Sequence, residues 1–280
     1  MKYAILALPL MLLAACEPAP EGEPVTRTRI DGQGSPSDAP TPSDTASGTT
    51  RVESACRSII FEDSPLTHCL ATPARHTISM DLGPSGEAPY RSLTAFSQAQ
   101  SQASIAFAMN GGMYDDEGKP IGYYVENGDR LQTLNTADGE GNFHMSPNGV
   151  FFGTNGKWEV RATDDFLANV RERPDFGTQS GPMLVIDGKL HPEITQDGES
   201  RYIRNAVGVD DKGRAHFVIS NGPVSFGKLA RFYRDELNVK NALYLDGNVS
   251  ALWNPATGRL DTGAPIGPII VVGKKDQQSD

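Results

Sequence analysis

Cysteine is scarce in this chain, with three residues in 280, and histidine numbers only five. No CxxC or HExxH spacing occurs, which leaves no Cys-rich zinc site and no zincin helix. Basic residues are also short: 25 Lys and Arg face 35 Asp and Glu, for a formal net charge of -10. A phosphate backbone needs a basic footprint, so non-specific nucleic-acid binding is excluded. The apolar run Ala4–Ala15 has twelve residues, fewer than the roughly 20 needed to span a bilayer as a helix. Glycine and proline, by contrast, are plentiful at 29 and 20. About one residue in six is then a chain breaker, which fits a strand- and turn-rich body diluted by an unstructured piece.

Lys2 and the apolar run that follows it read as an export signal. The run ends in Leu13-Ala14-Ala15-Cys16, which resembles the lipobox of bacterial lipoproteins. That resemblance implies cleavage after residue 15 and acylation of Cys16. Glu17, rather than Asp, then implies the outer membrane, facing the periplasm, in a cell that has one. Several acyl chains on one residue make a stable membrane anchor. Residues 16–54 follow as a tether. From Glu17 to Ser54 there are six Pro, no aromatic residue, and only Val25, Ile30 and Val52 as aliphatics larger than Ala. Such a stretch cannot bury enough surface to offset its ordering entropy.

What remains, residues 55–275, is long enough for one large domain with a full core. With Cys16 used by lipid, Cys56 and Cys69 are left in an exported chain and are expected to pair. Arg57–Phe61 and Arg75–Leu82 read as two early strands closed by that pair. Further strands are expected at 104–109, 121–125, 149–152, 157–161, 182–186, 206–209, 216–220, 242–245 and 269–272, with Gly/Asn/Asp turns between several of them. Helical periodicity appears at 93–103, 164–173 and 226–237. The order predicts an α+β fold: one strand-rich domain with two or three helices.

Two motifs lead nowhere. Gly222–Lys228 fits GxxxxGK, but Leu229 stands where a P-loop needs Ser or Thr, and Pro223 removes a backbone donor. No nucleotide is therefore expected. Asp138, Glu140 and Asn142 alternate along a loop without matching an EF-hand, so a solvated loop is the simpler reading than calcium. No cofactor and no metal ligand set is assigned.

Three polar clusters, and one arginine between the second and the third, stand at strand ends. Asn110-Gly111-Gly112-Met113-Tyr114 follows the strand ending at Met109, and its two Gly allow close backbone approach. Gln179-Ser180-Gly181-Pro182-Met183-Leu184 is a polar entry into a buried strand. Arg204 opens the apolar run Arg204-Asn205-Ala206-Val207-Gly208, where a charge must be paired or functional. Leu245-Asp246-Gly247-Asn248-Val249-Ser250 puts a carboxylate at the end of another apolar strand. Each cluster alone is a turn or a salt bridge as readily as a site.

Together and in this order, the clusters resemble the phosphodiester glycosidase family. Its Asn-Gly-Gly-aromatic turn is similar to Asn110–Tyr114, its Gly-Pro-Met/Leu-Leu strand to Ser180–Val185, its Arg-x-Ala-x-Gly strand to Arg204–Gly208, and its Leu-Asp-Gly-Gly-x-Ser turn to Leu245–Ser250. Asn142–Phe151 resembles a bacterial branch of the family. Asn248 departs from the pattern by replacing the second Gly of the last motif. The resemblance implies a hydrolase that cleaves a glycosyl phosphodiester or a related envelope glycan linkage. A non-catalytic glycan-binding lipoprotein on the same fold is the alternative.

For that reaction Asp246 suits the carboxylate that activates water or attacks the anomeric carbon. Arg204 suits the cation that holds phosphate. Asn110, Gln179, Ser180, Asn248 and Ser250 could orient sugar hydroxyls, Gly181 is counted with them as substrate-binding, and the Gly111 and Gly112 amides could face phosphate or sugar oxygens. Tyr114 or His144 could supply a proton or a stacking face. The partners implied are a carbohydrate or sugar-phosphate substrate and, through the lipid, the membrane.

Overall fold

A computed structural model describes residues 53–275. The signal, Cys16 and the tether up to residue 52 lie outside the described residues. The strands in chain order are β1 (Cys56–Phe61), β2 (Ser64–Ala71), β3 (His76–Asp81), β4 (Ile105–Asn110), β5 (Tyr124–Glu126), β6 (Asp129–Gln132), β7 (Gly149–Thr154), β8 (Lys157–Ala162), β9 (Phe176–Ser180), β10 (Met183–Ile186), β11 (Lys189–Leu190), β12 (Asn205–Val209), β13 (Ala215–Ser220), β14 (Asn241–Tyr244), β15 (Leu252–Asn254), β16 (Arg259–Leu260) and β17 (Ile269–Lys274). The helices are α1 (Leu93–Ala99), α2 (Thr163–Asn169) and α3 (Phe226–Arg231), the last continuing through a wider turn over Phe232–Glu236. The chain is thus α+β and strand-rich, with three helices.

The strands form three antiparallel sheets, ordered β1-β2-β13-β12-β14-β10-β11, β16-β15-β4-β17-β3 and β6-β5-β9-β7-β8. All three turn one face to a shared core, to which Phe217 and Ile219 come from the first sheet, Met109 and Ile270 from the second, and Phe151 and Phe176 from the third. Each sheet's other face is covered by one helix: α3 packs near Val218, α1 near Val271 and α2 near Val150. Strands buried on both faces read as unbroken apolar runs rather than alternating ones. That is why β4, β13 and β17 stand out in the sequence.

Two-residue hairpin turns need positive φ at both central positions, which favours Asn-Gly and Asp-Gly. Asn127-Gly128, Asn155-Gly156 and Asp187-Gly188 meet this with φ of 52° and 80°, 50° and 77°, and 47° and 76°. A fourth hairpin, β1–β2, turns at Glu62-Asp63 with φ of 43° and 59° and has no glycine. Strand β2 is invisible to a turn-based reading for that reason. The expectation about the early strands is corrected accordingly. The Cys56–Cys69 disulfide is present, but it joins β1 to β2, where Cys56 lies directly opposite Cys69. Strand β3, the second of the two strands expected to be closed by that pair, lies instead against β17 in another sheet.

The unfavourable Glu62-Asp63 turn is held from α3. Lys228 Nζ donates to the Glu62 carbonyl at 2.7 Å and to Ser64 Oγ at 2.9 Å, and Arg231 pairs with the Glu62 carboxylate at 2.6 Å. The lysine of the GxxxxGK stretch is therefore a clamp on a hairpin. At the other boundary, Glu53 and Ser54, placed in the tether by composition, already touch the body. Glu53 pairs with Arg75 at 2.6 Å, and Ser54 Oγ accepts from Asn254 Nδ2 at 3.0 Å.

Candidate active site

Strand ends from two sheets meet where β4, β12 and β14 finish or begin. Asn110, at the end of β4, is buried and uses its whole side chain there. Its Nδ2 donates to the Asp246 carbonyl at 2.7 Å, and its Oδ1 accepts from Asn205 Nδ2 and from the Ala251 N–H, both at 2.9 Å. The Asp246 N–H donates to the Gly111 carbonyl at 3.1 Å. Ser250 Oγ donates toward Asn205 Oδ1 at 3.1 Å and the Ile203 carbonyl at 3.2 Å. The Asp246–Ser250 turn is thus held by groups in the first and third family-like motifs. Asn205, buried at the start of β12, joins them and was not singled out from the sequence, although it sits beside Arg204 in a quoted motif.

The Asp246 carboxylate is half-buried and accepts one hydrogen bond among the described residues, from the Asn248 N–H at 3.2 Å. Burial pushes its pKa above the usual carboxylate range, and the Asn248 N–H opposes that shift only in part. Two phenols lie near it. Tyr244 is pushed up to about 12, by burial first and with the Asp246 charge adding to it. Tyr114 is raised by burial and then by Asp246.

Arg204 is 1% exposed and already engaged. Its Nε donates to the Val224 carbonyl at 3.0 Å, Nη1 to the Tyr244 hydroxyl at 2.9 Å, and Nη2 to the Ser200 carbonyl and Oγ at 3.1 and 3.0 Å. Its guanidinium lies 3.6 Å from the centroid of the Phe226 ring. The Tyr244 hydroxyl it holds sits directly under Gly247, where any Cβ would collide with the phenol. Arg204 therefore reaches the Asp246 turn through Tyr244, from behind.

Beside the turn opens a cleft of about 500 Å³, lined by Gly247–Ala251, Ser92–Thr94, Arg201–Ile203, Asp261–Ala264 and Ile266. Asn248 is exposed there and Ser250 half-buried. Tyr202 and Ile203 stand on its lip, 56% and 45% exposed. Tyr202 is fixed by a two-way main-chain bridge to Val224, at 3.2 and 2.8 Å. Neither Tyr202 nor the Thr262–Ala264 segment carries a sequence signal, because a lone aromatic and a Gly/Ala loop are ordinary anywhere.

The remaining candidates are structural in their contacts. Gln179 is buried with all four amide positions filled: Oε1 accepts from the Tyr123 and Asn135 N–H groups at 2.9 Å, and Nε2 donates to the Asn135 carbonyl at 2.7 Å and Thr163 Oγ1 at 3.2 Å. Gly112 donates to Thr178 Oγ1 at 3.1 Å and packs so tightly on the Gln179 carbonyl that a Cβ would collide with it. Gly111 donates to the Pro268 carbonyl at 2.7 Å. The two glycines thus join sheets, and neither amide is free. Gly181 packs on the Asn142 and Phe143 carbonyls, where a Cβ would come within 2.9 and 2.6 Å. This seats the Asn142–Phe151 motif against β9. Ser180 is fully buried, and its Oγ has no partner among the described residues. His144 Nδ1 bonds the Ala137 carbonyl at 2.9 Å, within its own loop. The Tyr114 hydroxyl donates to the Pro265 carbonyl, so Tyr114, unlike His144, belongs to the neighbourhood of Asp246. Among the described residues no group of three or more His, Cys, Asp or Glu is placed to hold a metal.

Comparison with known proteins shows the family and the fold. The sequence matches the phosphodiester glycosidase family over residues 103–272, a span that holds all four motifs. YigE, an uncharacterized protein of Escherichia coli (strain K12), is 40% identical over 153 residues, covering 55% of this chain. The chain spans 59% of the length of that relative. The catalytic domain of zebrafish N-acetylglucosamine-1-phosphodiester alpha-N-acetylglucosaminidase, solved auto-inhibited by its pro-peptide, has the same fold. It aligns with a TM-score of 0.54 and 16% identity, over 79% of this chain and 82% of that domain.

Proposed function

Because the chain belongs to the phosphodiester glycosidase family, we propose that it hydrolyses a glycosyl phosphodiester or a related envelope glycan linkage, with Asp246 as the reacting carboxylate. The observation that carries this reading is the Asp246 turn itself. A half-buried carboxylate with one hydrogen-bond donor sits on a main chain clamped by Asn110 and Gly111, beside an open cleft. Buried carboxylates without a cation are costly and are retained where chemistry uses them.

The reaction breaks the bond from the anomeric carbon to the phosphate oxygen, and that oxygen keeps the electron pair. The leaving group is a phosphate monoester, stable as an anion, so a strong general acid is less necessary than in ordinary glycosides, where two carboxylates flank the bond. Asp246 either removes a proton from the attacking water or adds to the anomeric carbon itself; the configuration of the released sugar separates these two routes. Arg204 acts as a positioning residue, since it fixes Tyr244 beneath Gly247. Asn248, Ser250 and the exposed ring of Tyr202 are the groups presented to a sugar in the cleft. An aromatic face on a rigid main chain suits the apolar face of a pyranose.

The proposal includes the location. Cys16 is the acylated N-terminus of an exported lipoprotein, held at the cell envelope and facing the periplasm where there is an outer membrane. Cys16→Ser then leaves the protein unprocessed or releases it to the soluble exported fraction, and an intact 1–16 segment on mature protein contradicts the anchor.

The test of the activity is to incubate the purified protein with a panel of sugar 1-phosphodiesters, with and without chelator, and to measure released reducing sugar. Turnover that Asp246→Asn abolishes supports the reading. Binding of glycans without turnover of any member favours the non-catalytic alternative.

A further inference from the structure

If Arg204 is committed to Tyr244, Phe226 and two carbonyls, the phosphate of the substrate needs another cation. We propose that Arg91 is that cation, held ready on the ring of Tyr114. The inference rests on the hydrolase reading above but identifies its anion-binding residue separately.

Arg91 lies outside the matched family span and is half-buried. Its guanidinium carbon stands 4.9 Å from the centroid of the Tyr114 ring. On another side it packs against Gly118, whose Cβ, if it had one, would collide with Nη1. That nitrogen is buried and has no hydrogen-bond partner among the described residues. A guanidinium donor left in that condition costs free energy unless something accepts from it. The neighbouring acids do not: Asp115 Oδ1 accepts from the Glu117 and Lys119 N–H groups, and Glu117 pairs with Lys119. Arg91 takes part in no ion pair among the described residues.

The backbone places this residue deliberately. Arg91 has φ of 58°, a left-handed conformation that L side chains seldom adopt. Its carbonyl accepts from the Ile266 N–H at 3.0 Å. Ser92, the next residue, and Ile266 both line the cleft beside the Asp246 turn. Gly267 lies so close under the Tyr114 ring that a Cβ would collide there, and the Tyr114 hydroxyl is tied to Pro265. The platform under Arg91 is therefore rigid. Tyr114 also feels Asp246 and Arg91 with opposite signs, so both charges act on this phenol, while the contact itself is made by Arg91 over the ring. Arg201 is the competing cation. It lines the cleft but is exposed on a loop, so water screens it and each contact must order a free side chain.

The chemistry favours a fixed cation at this point. The substrate diester carries one negative charge at phosphorus. As the C1–O bond breaks, the departing monoester gains a second. A preorganised guanidinium is thus worth more in the transition state than in the ground state and acts on kcat as well as on KM.

Two measurements on the full-length protein test this. Binding of methyl phosphate is followed by calorimetry, and turnover of the best phosphodiester of the panel is followed for kcat and KM. Arg91→Gln should weaken methyl phosphate and lower kcat/KM by about 10- to 100-fold, the range of a charge-assisted pair. Arg91→Lys should fall between, and Arg201→Gln should lose less than Arg91→Gln. Gly118→Ala keeps the charge but displaces Nη1, and should reproduce the Arg91→Gln loss even if that variant folds poorly. Retained affinity and turnover in Arg91→Gln, or a loss that follows Arg201 instead, overturns the assignment while the hydrolase reading stands. Methyl phosphate binding that depends on Arg91, in a protein that turns over no phosphodiester, upholds the anion site and removes the hydrolase reading.

Discussion

Gln179, inside the buried strand β9, and Asp246, just past the end of β14, have surroundings that could hardly differ more. The Gln179 amide is buried with four hydrogen-bonding positions and four partners drawn from three other segments, at Tyr123, Asn135 and Thr163. The Asp246 carboxylate is half-buried, yet among the described residues it accepts a single bond, from within its own turn. A fully satisfied buried polar group fixes structure, whereas one with too few partners is available for chemistry at a cost in stability. The same contrast separates two arginines: Arg204, with all three nitrogens donating, and Arg91, with a buried nitrogen that donates to nothing among the described residues.

This comparison is broken or sharpened by four experiments. Gln179→Leu removes the acceptor of two backbone N–H groups, one buried and one partly buried, each worth about 1–3 kcal/mol when left unpaired. Urea unfolding should show a loss of about 2–6 kcal/mol, with turnover per folded molecule unchanged. Lost turnover at unchanged stability would move Gln179 into the site. Reduction of the Cys56–Cys69 bridge, neither half of which lines the cleft, should cost about 3 kcal/mol by loop entropy and spare turnover below the melting range. Two freely alkylated thiols in the native protein would contradict it.

Asp246→Asn should lower turnover by at least about 10²-fold and raise the melting temperature at pH 7. The sign follows from the raised pKa: the native carboxyl holds its proton to higher pH than the unfolded one, so its contribution to stability is present at low pH and lost as pH rises through the native value. Asn has no such loss, and the gain should vanish in acid. A lower melting temperature at pH 7 would class Asp246 with Gln179.

The fourth experiment concerns a fully structural pair. His68 is buried against His216, with Nε2 and Nδ1 3.0 Å apart, and burial, then the His216 charge, push it down to about 3. His216 in turn bonds Asp210 at 3.1 Å, beside Arg214, with Arg57 facing His68 from β1. Stability should therefore hold above pH 6.5 and fall as the solution is acidified toward 3, since the unfolded chain takes the proton first. His68→Leu should flatten that slope in thermal unfolding. An unchanged slope would mean that the carboxylates alone set it.

Much of this was legible in the sequence where local chemistry is specific. The apolar runs of β4, β13 and β17 and the Asp-Gly and Asn-Gly hairpins follow from burial and φ preferences, and the four motif clusters found Asn110, Arg204, Asp246 and Ser250. What escaped has equally physical causes. The β1–β2 hairpin turns on Glu62-Asp63, against intrinsic preference, and is held by Lys228 and Arg231 from distant sequence. A motif says that a residue matters without saying to what, so Gln179 and Arg204 read as ligand-facing when their partners are internal. Arg91 and Tyr202 sit in no motif at all. Only the tertiary structure shows one over Tyr114 and the other on the cleft's lip.

The central claim is that this fold breaks the bond on the sugar side of a phosphodiester. Hydrolysis of the best panel substrate in H₂¹⁸O, followed by mass spectrometry of both products, tests it most directly. We expect the label on the anomeric hydroxyl of the released sugar and none in the phosphate monoester, with the reaction lost in Asp246→Asn. Label in the phosphate would show attack at phosphorus and contradict the account.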